Sequence, residues 1–178
     1  GVGSINGGGS ALIGAPFNLT GATNTFNTLR GTTLTLTGLV DGAGSLFKTG
    51  LGALLVSNAT ALAGAVVVTQ GVLEVGTLDA AGVFSGVSSL SVGGSGGLQI
   101  NGTNVLFGAA ARPLSVTAGG VIVNGADSSA RITFPLILAG GNVGGTTPDV
   151  VHGNWRIESN IAASGNASIV APRVQLAK

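Results

Sequence analysis

The side chains best suited to chemistry are few in this sequence. The acids are Asp41, Glu74, Asp79, Asp127, Asp149 and Glu158, and there is one histidine, His152, and one tryptophan, Trp155. General acid–base work needs titratable groups held within reach of one substrate, so spacing decides what these residues can do. Asp127 and Asp149 fall at nearly the same phase of two successive repeats, which would set their carboxylates about 5 Å apart if the repeats stack. Such a pair could share a proton or bind a cation through oxygen. Each also follows a bend signal, Gly125-Ala126 before Asp127 and Pro148 before Asp149, where Asp is favoured for its backbone hydrogen bonds. The bend role is the one expected of both. His152, Asn154, Trp155 and Arg156 form the one cluster mixing imidazole, indole and guanidinium. On a strand face they could stack on a sugar ring, or Arg156 could lie over Trp155. A second His for a metal site is missing, and no Ser-His-Asp spacing accompanies His152. Trp155 is therefore expected in a wide part of a core, with His152 on the surface. No catalytic, cofactor-binding or metal-binding residue is expected, and the chain is read as not an enzyme.

Composition narrows the frame that must hold these residues. Of 178 residues, 33 are glycine and only 13 are fully charged, seven Lys or Arg and six Asp or Glu. No collagen period accompanies the glycine, which must then serve bends between strands. A hydrophobic fraction of 44% with a net charge of +1 is the opposite of a disordered composition. The seven cations are scattered along the chain, so no basic patch is legible and no nucleic-acid partner is expected. Gly, Thr, Ser or Asn interrupts every apolar run before about 18 residues, so no membrane span is expected. An outer-membrane barrel would need strands of about 10 residues and aromatic girdles, and the chain has one Trp and no Tyr. The absence of cysteine excludes disulfides and is compatible with an oxidising extracellular setting.

Self-similarity supplies the elements. A short apolar strand closed by a small residue recurs at Ala11-Leu12-Ile13, Leu34-Thr35-Leu36, Leu54-Leu55-Val56 and Leu73-Glu74-Val75. It returns at Leu90-Ser91-Val92, Leu114-Ser115-Val116, Leu136-Ile137-Leu138 and Ile161-Ala162-Ala163. Starts about 17 to 25 residues apart suit stacked solenoid coils. Further strands are expected between these anchors, at 46–49, 66–69, 98–100, 121–123, 132–134, 155–158 and 168–170, while 140–154 reads as a protruding loop. The expected fold is all-β, a right-handed parallel β-helix of about seven to eight coils. Leu34, Leu54, Leu73 and Ser115 should share one side, and Thr and Asn should stack in ladders outside. An immunoglobulin-like sandwich is the rival, since short strands with regular turns are its signature too.

The clearest stretch is Gly42–Gly76, GAGSLFKTGLGALLVSNATALAGAVVVTQGVLEVG. Its Gly42, Gly44, Leu46, Lys48-Thr49-Gly50, Gly52, Leu54, Val56, Gly64, Val68, Gly71, Leu73, Val75 and Gly76 resemble the autotransporter-associated β-strand repeat, also called the passenger-associated transport repeat. The bend at Asn58–Ala63 departs from that pattern, and the match covers about a fifth of the chain. The resemblance implies a parallel β-helix on a secreted or surface-displayed bacterial protein, and no catalytic residues. Lys48 poses a register problem, because alternation sets it on the same side as Leu46, and an unpaired buried ammonium is prohibitively costly. The strand is expected to bend at Phe47 or to turn Phe47 inward.

These readings make the whole chain, 1–178, one β-helix segment of a longer or polymerised protein. Its expected role is structural, in a bacterial extracellular fibre or cell-surface layer. Its partners are other copies or coils, associated end to end, with surface glycans as a further class. The alternatives are the passenger segment of an autotransporter adhesin and, less favoured, a polysaccharide-degrading enzyme on the same fold, which would need Asp, Lys and Arg clustered on one face.

Overall fold

The structure is a computed structural model in which residues 2–7, 9–76, 82–101, 106–107, 112–125, 130–144, 154–171 and 173–176 are described, with the backbone alone at 2–4 and 7. Among them there is no helix. The first coil holds β1 (Val2–Gly7), β2 (Ala11–Ile13) and β3 (Phe17–Asn18), the second β4 (Thr23–Thr28), β5 (Thr33–Leu36) and β6 (Val40–Gly42), the third β7 (Ser45–Thr49), β8 (Ala53–Val56) and β9 (Ala61–Leu62). In the next two coils one long strand replaces the first two, β10 (Val66–Val75) and β11 (Leu90–Ile100). The last three return to the three-strand form: β12 (Leu114–Thr117), β13 (Val121–Asn124) and β14 (Ala130–Ile132); β15 (Leu136–Ala139), β16 (Asn142–Gly144) and β17 (Asn154–Ile157); β18 (Ile161–Ser164), β19 (Ser168–Val170) and β20 (Arg173–Leu176). Six of these eight coils thus carry three separate strands, and the two in the middle carry one long strand in place of the first two.

Equivalent strands of successive coils pair in parallel and give the solenoid three faces. The first face runs β1-β4-β7-β10-β11-β12-β15-β18, and the second passes through β2, β5, β8, the C-terminal halves of β10 and β11, then β13, β16 and β19. The third is β3-β6-β9 and, further along, β14-β17-β20.

Side chains alternate in and out because successive residues of a strand point to opposite faces. On the second face Leu34, Leu54, Leu73, Leu98, Ile122 and Val143 stand in one column, each 3% exposed or less. Burying such a side chain is worth about 1.5–3 kcal/mol, whereas a cross-strand polar pair outside contributes about 0.2–1 kcal/mol. The aliphatic columns therefore set the register, and the outer ladders only reinforce it. Those ladders include Asn6 with Asn27, Asn18 with Asp41 and Asn142 with Ser168, joined by side-chain hydrogen bonds of 3.0, 2.6 and 2.7 Å. The core widens to admit Phe84, Phe107, Phe134 and Trp155, with Phe107 and Phe134 edge to face at 4.8 Å.

Glycine turns the corner between the first and second faces. Gly31, Gly50, Gly71, Gly94, Gly119, Gly140 and Gly165, one in each of seven successive coils, all have φ between +63° and +78°, a left-handed conformation that costs other residues about 1–2 kcal/mol.

Three expectations need correction. Ser115 pairs with Ser91 and Ile137 on the first face, not with the column of Leu34, Leu54 and Leu73. The repeating anchors change face between Leu73 and Leu90: the rung after Leu73 is Leu98, while Leu90, Leu114, Leu136 and Ile161 form a first-face column. The stretch 140–154 is not a single loop, since 142–144 is β16 and Asn154 opens β17; residues 145–153 lie outside the described residues.

Candidate functional site

Lys48 lies in the core. Strand β7 keeps strict alternation, with Leu46 and Lys48 both 0% exposed and Phe47 half-buried. The expected bend or reversal at Phe47 does not occur, because the ammonium finds partners where no carboxylate stands. Lys48 Nζ donates to the carbonyls of Thr49 at 2.7 Å, Gly50 at 2.8 Å and Gln70 at 3.1 Å, which uses all three donors of an ammonium. Two of those carbonyls belong to its own corner and the third to the corner of the next coil. Gly71 closes the arrangement: a Cβ there would stand 2.8 Å from Lys48 Nζ and strike the carbonyls of Gly50 and Gly52. The Lys-Thr-Gly-x-Gly run and Gly71, separate in sequence, thus form one clasp between two coils. Burial pushes the Lys48 ammonium down to about 8. A neutral amine is a nucleophile when a substrate can reach it, but Lys48 has no exposed surface. Its role is to satisfy the corner.

Directly above this clasp the first corner is concave. Strands β10 and β11 run past the corner without a break, while in the two preceding coils Leu29 and Leu51 protrude, 53% and 50% exposed. The result is a groove of about 620 Å³, bounded by Arg30 and Leu51, floored by Gly71, Gly96 and Gly97, and closed by Val121. Backbone forms much of its floor, and among the described residues no carboxylate lines it.

The third face carries the clearest charge arrangement. Register sets Arg131 of β14 beside Arg156 of β17, and Arg156 beside Gln175 of β20; in the next column Asn154 stands beside Arg173. Alternation turns Ala130, Ile132, Trp155 and Ile157 into the core and both arginines outward. Glu158, just beyond β17, accepts a hydrogen bond from Arg131 Nη2 on Oε2 at 2.5 Å and forms an ion pair with Arg156, Nε to Oε1 2.6 Å. The hydrogen bond from Arg131, aided by the charge of both guanidinium groups, holds the Glu158 carboxyl below its ordinary value against the opposing effect of burial.

Trp155 and Arg156 point to opposite sides of one strand, so they do not stack. Trp155 is 1% exposed and its indole N–H donates to the Gly144 carbonyl at 2.9 Å, a core role. Of the acids, Asp41 accepts from Asn18, and Glu74 faces outward between Leu55 and Gln99, where burial pushes its carboxyl up. Asp79, Asp127, Asp149 and His152 lie outside the described residues. The arginine face escaped sequence reading because the coils differ in length: Arg131, Arg156 and Arg173 share no constant spacing, and only the register brings them together.

The fold defines the class, a three-faced parallel β-solenoid. No family model, curated protein or solved structure matches the chain.

Proposed function

We propose that this chain is a structural element of a bacterial extracellular fibre or cell-surface layer, extended by end-on stacking of further coils, and not an enzyme. The last described coil carries this reading. Its strands continue the core columns, with Ile161 beside Leu136, Ile169 beside Val143, Val174 beside Trp155 and Leu176 beside Ile157. The partners are buried, yet Ile169, Val174 and Leu176 are 37%, 39% and 75% exposed. Apolar side chains at core positions suit cover by another coil of the same cross-section, from the same polypeptide or a second copy. The likeness of Gly42–Gly76 to autotransporter-associated repeats and the absence of cysteine support the extracellular setting. A net charge of +1 offers little repulsion between copies. Sedimentation and electron microscopy across a concentration series test it. Rods that lengthen with concentration are expected, and a monomer unchanged by dilution overturns end-on association of copies.

The corner groove favours a second reading, the passenger segment of an autotransporter adhesin, since it offers a concave bed along the axis. A parent reading frame that continues into a C-terminal translocator barrel distinguishes this reading from the first.

A further inference from the structure

We propose that the outer surface of the third face, at Arg131, Arg156 and Arg173, binds a linear polysaccharide bearing carboxylate groups. Of the chain's seven cations, three stand on the neighbouring strands β14, β17 and β20 of this one face, and Glu158 is the only described acid beside them. Arg131 and Arg156 are held in place by the two oxygens of that one carboxylate, while their side chains remain 42% and 44% exposed. Guanidinium groups fixed in advance lose less freedom on binding, and their planar fork matches a carboxylate in bidentate fashion. Asn154 and Gln175 share the same two columns and bring amide groups suited to sugar hydroxyls. A polymer lying along the solenoid axis would cross the three rungs in turn.

The same features argue against other partners. Single-stranded nucleic acid is bound with aromatic platforms, and Trp155, the one aromatic residue on these three strands, is buried. Both oxygens of Glu158 are already engaged by the arginines, so among the described residues the face is arranged for binding. It does not depend on end-on stacking, because a single copy carries the whole face.

Calorimetric titration of the full chain with polygalacturonate at low salt tests the proposal. Binding is expected, weakening as sodium chloride is added. Arg131→Gln, Arg156→Gln and Arg173→Gln should each weaken it by about threefold, the scale of an exposed ion pair, and the triple variant should lose it. Uncharged dextran should not bind. No binding of polygalacturonate, unchanged binding by a triple variant of native circular dichroism and melting temperature, or equal binding of dextran each overturns the proposal. Oligothymidylate binding as tightly through the same arginines also overturns it, in favour of a phosphate-binding face. Should the triple variant fail to fold, Arg173→Gln alone, on the exposed last strand, carries the comparison.

Discussion

A lysine with no exposed surface is tolerable only if its ammonium exchanges water for equivalent acceptors, and Lys48 does so with three carbonyls. Lys48→Met keeps most of the volume but strands those acceptors, so a loss of about 3 kcal/mol in denaturant unfolding is expected. The pH dependence has a definite sign. Burial brings the folded-state value from 10.5 to about 8, so between these limits the unfolded chain binds more protons than the folded one. This group's contribution is flat below pH 8, and stability rises with pH through the window. The melting temperature of the native chain should therefore climb between pH 8 and 10.5 relative to that of Lys48→Met. Glu158, whose value is depressed, works at the acid end. Its stabilisation is present above the ordinary carboxylate range and is lost as pH falls through its own lower value. Melting curves of Glu158→Gln and the native chain should differ at neutral pH and converge in acid. Alternation with Leu46 pointed Lys48 inward, yet a bend or reversal at Phe47 was expected instead, because the partners that make burial tolerable were not legible. One lies 22 residues away in the next coil, and backbone carbonyls leave no mark in a sequence.

Corners, more than strands, distinguish the elements of this fold. Gly31 and Gly71 share the same left-handed backbone, but a Cβ at Gly31 meets nothing within 4 Å, while at Gly71 it meets two carbonyls and the Lys48 ammonium. Gly31→Ala should therefore cost only the conformational penalty of about 1–2 kcal/mol. Gly71→Ala adds steric conflict and should cost about 4 kcal/mol or more. Equal losses in thermal or chemical unfolding would contradict the clasp geometry. The strands themselves were largely readable: β7 and β8 contain the runs expected at 46–49 and 54–56, and the runs expected at 66–69 and 73–75 merge into β10. The face to which a strand belongs was harder to read, as Ser115 illustrates. Coil length changes where β10 and β11 run through the corner, and β11 carries an extra residue there, shifting the register from Val68 with Val92 to Gln70 with Ser95. A repeat counted from anchors slips by a face wherever a corner is absorbed into a strand.

At the scale of the molecule, stability is shared between neighbouring coils, since each touches only the next. Removing apolar cover from the last coil should then affect association more than folding. Val174→Asp with Leu176→Asp should leave circular dichroism unchanged and weaken end-on association by about tenfold or more, since each buried Val or Leu is worth about 1.5–3 kcal/mol. Sedimentation of the double variant checks this. The parallel pairing of all three faces has one more outcome, a mechanical one. Hydrogen bonds between coils run along the axis, so tension applied at the two ends of the stack is borne by a single rung, not shared by all of them in shear. Under such tension the rod would peel coil by coil, each step releasing about 20 to 25 residues, or roughly 65–85 Å of extended chain. A rod made this way lengthens in steps under load instead of snapping, and a coil locked to its neighbour by Lys48 would be among the last to yield.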